Sequence, residues 1–175
     1  KVVYSAKEAF DAEVIIKVEP PTEEEINYMR SGSCLISALQ LGKQSADYIH
    51  ALNKKRITAV SYENLEDKVG GMPVVRAMSE IAGSTVMLIA AEYLSSVNNG
   101  KGLIMGGVTG VPPTQVVIVG AGTVAEYAAR TALGLGASIK VFDNHIYKLR
   151  RIKHLLGQQV FTSTIDNYTL GNAIK

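Results

Sequence analysis

Residues 115–143 read QVVIVGAGTVAEYAARTALGLGASIKVFD, and the reading of this stretch decides the fold. Gln115–Val119 is a short β-branched run of the kind that is buried on both faces of a parallel sheet. Gly120-Ala121-Gly122-Thr123-Val124-Ala125 follows at once, and a helical pattern then runs from Thr123 to Leu135. A second β-type run, Ser138–Phe142, ends at Asp143. Strand, glycine turn, helix, strand and acid form the context that a dinucleotide-binding turn requires. Gly120 allows the tight turn, Gly122 lets a pyrophosphate approach the backbone, and the small Ala125 permits close helix–strand packing. Amides at the helix N-terminus would face the phosphate, and the helix dipole favours its charge. Asp143 is placed to accept hydrogen bonds from an adenosine ribose and would repel the extra phosphate of NADP, so NAD is the expected cofactor. Lys148, Arg150 and Arg151 follow closely and leave room for NADP. The bland alternative is a βαβ unit that binds nothing.

Downstream, a helix is expected over Ile146–Leu156 with Gly157 as its left-handed stop, then a strand at Val160–Thr162 and a helix at Tyr168–Ile174. A complete dinucleotide-binding sheet has about six strands, and only two or three are legible. The first strand is therefore expected to carry a bare edge, so that either the chain is truncated or a partner covers it.

Upstream, Asn98–Pro113 is rich in glycine and proline and reads as a connector. Ala77–Val97 reads as one long helix, apolar nearly all round, with Ser79 at its N-cap or in its first turn. Earlier still, strands expected at Lys1–Tyr4, Glu13–Val18, Ser33–Ala38 and Ile57–Val60 alternate with helical patterns capped by Ser5 and Thr22. A helix over Gln44–Lys55 would turn Ala46, Ile49 and Leu52 inward. The expected architecture is thus α/β: a parallel α/β unit over 1–72, a buried connecting helix and glycine-rich linker over 73–113, and a partial nucleotide-binding domain over 114–175.

The formal net charge of +2 over 175 residues gives no sign of nucleic acid or an anionic membrane as partner. The apolar run Val86–Leu94 is interrupted by Glu92 and too short for a membrane span. A single cysteine, Cys34, excludes an internal disulfide and suits a reduced, cytoplasmic setting; no Cys/His spacing suggests a metal. The chain begins at Lys1, without methionine, and reads as a piece of something longer.

Placed in this order, the runs IIKV (15–18), MSEIAG (78–83), GKGLIMGGVTGVPPTQVVIVGAGTV (100–124) and GLGASIKVFDNHIYKLRR (134–151) resemble the alanine dehydrogenase and nicotinamide nucleotide transhydrogenase α-subunit superfamily over essentially the whole chain. The MSEIAG and GGVTGVPP runs look more like alanine dehydrogenase. The resemblance implies a discontinuous substrate domain with an inserted Rossmann domain, oligomers that are often hexamers, and oxidation of L-alanine to pyruvate and ammonia with NAD. It also implies that Ser79, the turn Gly120, Ala121, Gly122, Thr123 and Val124, Asp143 and Lys148 contact the nucleotide.

The substrate side departs from the family pattern. Glu19 stands where a KVKEP-like run carries its substrate lysine, and Gln40 stands where an LHL-like run carries its histidine acid/base. Glutamine cannot exchange a proton near neutral pH. Lys17, Glu19 and Gln40 are the substrate-side candidates, with no catalytic residue assigned; Lys17 and Glu19, two apart in an expected strand, would share a face, and an ion pair with each other or a neighbour is the plain reading. His50, His145 and His154 read as helix-surface or helix-start residues, His145 near enough to Asp143 to approach an adenine. Three functions remain open: an alanine-type dehydrogenase acting on an amino or oxo acid, an NAD-binding transhydrogenase-like module or pseudo-enzyme, and a dehydrogenase for a different amino or imino acid. This stretch of chain alone is expected to be inactive.

Overall fold

The computed structural model describes residues 2–174 and divides into two compact units, residues 1–75 and 76–175. The first holds a parallel sheet in the order β1-β2-β3, formed by Val14–Ile16, Cys34–Ser37 and Thr58–Ser61, with Ile15, Leu35 and Ala59 in register. Helices α1 (Ala6–Phe10), α2 (Glu23–Tyr28) and α3 (Ala46–Lys54) connect and flank these strands. Its core gathers Phe10, Ile15, Ile26, Leu35, Leu39, Tyr48 and Leu52. The sequence signals for caps hold. Ser5 accepts the Glu8 amide, and Thr22 with Glu25 forms a reciprocal capping box.

Three expectations for this unit need correction. No strand forms at residues 2–4, which make no ladder, and Lys1 lies outside the described residues. β1 ends at Ile16, so Lys17 and Glu19 lie beyond the strand and its alternation of faces does not apply to them. On α3 the inward residues are Tyr48 and Leu52, one helical turn apart, while Ala46 and Ile49 are exposed.

The second unit holds β4 (Gln115–Val119), β5 (Ser138–Phe142) and β6 (Phe161–Ser163), all parallel in the order β4-β5-β6. Helices α5 (Thr123–Gly134) and α6 (Ile146–Leu156) make the crossovers, and α7 (Asn167–Ala173) follows. The expected β4, β5 and α6 agree residue for residue, α6 stopping at Gly157 in the left-handed conformation. β6 and α7 are each displaced by one residue from expectation. Among the described residues β4 has one paired neighbour, β5, and Val119 at its end is 62 % exposed.

The long helix α4 spans Pro73–Leu94, nearly all of it in this second unit. Proline is a favoured first residue because its missing N–H would be unpaired there in any case. Ser79 therefore lies in the second turn, neither at the cap nor in the first turn. Gly83 lets α4 touch α5: a β-carbon there would meet the Val124 carbonyl oxygen and lie 2.7 Å from Tyr127 Cβ. One face of α4, with Met87, Ala90, Ala91 and Leu94, packs into the core around Ala125, Ala128, Ala129, Ile139 and Val141. Ile81 (67 %) and Tyr93 (73 %) stay exposed, so burial covers one face rather than the whole circumference. By length and composition α4 would also suit a bilayer crossing, but its packed face belongs to this core.

Candidate nucleotide-binding site

The turn between β4 and α5 is built by three local facts. Gly120 adopts φ +102°, a conformation closed to residues with a β-carbon except at a cost. Ala121 is fully buried and anchors the turn. Gly122 is the N-cap of α5, without a side-chain cap, so the first amides of the helix keep their donors free of intrahelical partners. Gly122 itself has φ −82°, which any residue can adopt, and a β-carbon there would meet nothing within 4 Å. Among the described residues no atom calls for glycine at 122. The open space in front of it suits a ligand that comes close to the backbone, as a pyrophosphate does.

Asp143, at the end of β5, faces this turn. Its Oδ2 accepts the Ala121 amide at 2.8 Å, and its Oδ1 accepts the His145 amide at 2.7 Å and lies 3.0 Å from His145 Nδ1. These contacts, the His145 amide foremost, hold the carboxyl at about 2, against burial that would raise it; the Ala121 amide, the His145 ring and the Lys148 charge add to the lowering. Asp143 is therefore ionised throughout the neutral range, as a ribose acceptor must be, and it also ties β5 to the glycine turn. His145 is over half exposed, with its ring edge-on to Tyr147.

A cleft of about 420 Å³ runs beside the free edge of β4. It brings Ser79 of α4 together with Gly120, Gly122, Thr123 and Val124, and Val86 and Val119 add apolar wall. Ser79 and a turn more than forty positions later in the sequence thus share one concavity. The residues present fit a dinucleotide: open glycine backbone, free amides, an ionised acid and a mostly apolar cleft. Arg151 is engaged with the protein: its Nη2 donates to the Ala121 carbonyl at 3.2 Å and its Nη1 lies 3.7 Å from Glu126.

In the first unit, Lys17, Glu19 and Gln40 all lie past the carboxyl ends of parallel strands, the end at which α/β sheets bind ligands. Lys17 Nζ is 2.5 Å from Glu25 Oε2, so its ion partner is a neighbour on α2 and not Glu19. Glu25 is thereby held below the usual carboxylate range: burial raises it, and Lys17 with the Thr22 amide more than offsets that. Glu19 is exposed, and its carbonyl accepts the Ser37 hydroxyl at 2.8 Å. Gln40 is exposed in the left-handed conformation (φ 47°). No hydrogen bond or ion pair joins these three side chains. Sequence reasoning missed Glu63, whose two oxygens accept the amides of Leu39 (3.1 Å) and Gln40 (2.7 Å) and so fix the Gln40 turn. It also missed Glu126, buried on α5; an acid with arginines at positions 130 and 151 was the available signal.

Residues 1–82 match the family described as alanine dehydrogenase/PNT, N-terminal domain, and residues 86–175 match alanine dehydrogenase/PNT, C-terminal domain. The chain belongs to this family. It is 36 % identical over 176 residues to the alanine dehydrogenase of Methanococcus maripaludis, covering all of this chain and 47 % of that protein. It is 33 % identical over 174 residues to the alanine dehydrogenase of Bacillus subtilis, covering 99 % and 46 %. Among solved structures, an L-alanine dehydrogenase superposes with a TM-score of 0.85 at 33 % identity, over 99 % of this chain and 48 % of that one. A transhydrogenase from Sinorhizobium meliloti shares the fold, with a TM-score of 0.72 at 24 % identity over 98 % and 49 %. The chain spans about half the length of the relatives it matches.

Proposed function

We propose that the full-length protein carrying this chain is an NAD-dependent oxidoreductase of the alanine dehydrogenase type, converting L-alanine, NAD and water to pyruvate, ammonia and NADH. The observation that carries the reading is the cleft in which Ser79 meets the Gly120–Val124 turn, with Asp143 ionised behind it. Family membership and relatives named alanine dehydrogenase support it. In this reading residues 1–72 belong to the substrate domain, 73–113 connect, and 114–175 open the Rossmann domain. Gly120, Gly122, Thr123 and Val124 line the pyrophosphate with Ala121 buried beneath them, its amide and carbonyl already engaged; Asp143 and Lys148 serve the adenosine end, and Ser79 closes the far wall. Bound NAD supplies the hydride acceptor. Lys17, Glu19 and Gln40 form the substrate side, with the acid/base left unassigned. The protein is proposed to work as a homo-oligomer in the reducing cytoplasm, and residues 1–175 alone are proposed to lack turnover.

A second reading, an NAD(H)-binding transhydrogenase-like module, is favoured by one observation. Lys17 is engaged by Glu25 and Gln40 has no titratable group, so neither family position carries a free acid/base, and Glu19 is the one unengaged ionisable group of the three candidates. A rebuilt site with Glu19 facing a cationic substrate group is the third. The test follows NADH formation by the full-length protein with L-alanine, beside calorimetric NAD binding. Turnover at ordinary enzyme rates supports the first reading. NAD binding without turnover moves the choice to the second, or to the third if another amino acid is oxidised. Absence of NAD binding removes all three.

A further inference from the structure

Glu126 lies on α5 and is only 5 % exposed, with Oε1 2.7 Å from Arg130 and Oε2 3.7 Å from Arg151 Nη1. A carboxylate in the first turn of α5 would oppose an anion at that helix end. Two guanidinium groups neutralise it. Arg151, on α6, uses its other terminal nitrogen to donate to the carbonyl of Ala121 at 3.2 Å. The Ala121 amide goes to Asp143 at 2.8 Å. The peptide groups on either side of Ala121 are thus each held by an ionised side chain.

A peptide group is planar and trans, so its carbonyl and its N–H point to opposite sides. Drawing the Ala121 carbonyl toward Arg151 therefore turns the Gly122 N–H away from α6. Gly122 is the N-cap of α5, at the open face of the turn.

The geometry points to Arg151 as a positioning residue: braced by Glu126, it orients the Ala121–Gly122 peptide so that the turn's free amides meet a pyrophosphate, and it is not a ligand for a 2′-phosphate. This rests on the reading of the turn as a dinucleotide site. Asp143 works on the preceding peptide, so the two side chains act in series on one buried alanine.

The test uses the full-length protein and its Arg151→Ala, Arg151→Lys and Glu126→Gln variants. Calorimetry measures affinity for NAD and ADP, and NMR titration measures adenosine and 2′-AMP, which lack the pyrophosphate. A lost hydrogen bond from a charged donor predicts that Arg151→Ala weakens NAD and ADP about 10-fold, with adenosine and 2′-AMP unchanged. Arg151→Lys should recover part of the loss, and Glu126→Gln should show a smaller loss of the same pattern. Unchanged ADP affinity in Arg151→Ala, a loss confined to 2′-AMP, or an equal loss for all four ligands each overturns the positioning role. If the unsubstituted protein binds neither NAD nor ADP, the dinucleotide reading fails first and takes this inference with it.

Discussion

The carboxylate of Asp143 accepts the Ala121 amide at 2.8 Å, joining the end of β5 to the turn that follows β4. Asp143 titrates at about 2 in the folded chain, chiefly because of the His145 amide, whereas an unperturbed aspartate titrates at about 3.9. A depressed folded value means that its stabilising contribution is complete above about pH 4 and is lost as pH falls through about 2. Asp143→Asn should therefore cost roughly 1–3 kcal/mol at pH 6. That gap should close by pH 2. Urea unfolding of both forms at pH 6, 4 and 2 checks this, and a gap independent of pH would sink it.

Gly83 marks the closest approach of α4 to α5, where a β-carbon would meet the Val124 carbonyl oxygen and Tyr127 Cβ. Backbone cannot yield as a side-chain tip can. Gly83→Ala should destabilise by about 1–3 kcal/mol despite the better helix propensity of alanine, read from thermal unfolding. A stabilised variant would mean that the two helices separate easily.

Tyr48 is buried and, among the described residues, its hydroxyl has no hydrogen-bond partner; burial also pushes its pKa above the usual tyrosine value. Replacing it with phenylalanine removes a desolvated hydroxyl and keeps the ring that packs with Leu52. Tyr48→Phe is expected to be neutral or to stabilise by up to about 1 kcal/mol, measured by denaturant unfolding. A clear loss of stability would show that the hydroxyl has a partner in solution.

Glu63 holds the amides of Leu39 and Gln40 and so keeps Gln40 in its left-handed turn at the carboxyl end of the first sheet. On the proposed reading, Glu63→Ala in the full-length protein should raise the KM for the amino acid about several-fold, as a lost hydrogen bond would, and leave NAD affinity unchanged. Equal effects on both ligands would contradict a substrate-side role for this loop.

Much of the second unit was legible because β4, α5, β5 and α6 each carry a local signal that tertiary context reinforces. β-Branched runs, a glycine turn and a left-handed glycine stop agree with one another, and the structure places these elements within a residue of expectation. What failed was pairing and distance. Val2–Tyr4 has strand-forming residues but no neighbouring ladder to join. α4 starts at Pro73 rather than Ala77 because proline suits a first helical position, a signal that lies outside the apolar run. On α3, aliphatic spacing pointed to Ile49, whereas the ring of Tyr48 filled the core. The contacts of Arg151 with Ala121 and of Glu63 with Gln40 join segments more than twenty residues apart, and no periodicity encodes them.

Since the backbone of Gly122 is ordinary and its β-carbon position opens onto empty space, a small side chain there meets no steric obstacle to folding. Any screen that scores variants by expression, solubility or protease resistance would pass alanine or serine at 122 as silent. Only a readout that includes the ligand would see the change, so tolerance in the first screen and intolerance in the second, at one residue, would separate selection for a binding surface from selection for a foldable chain.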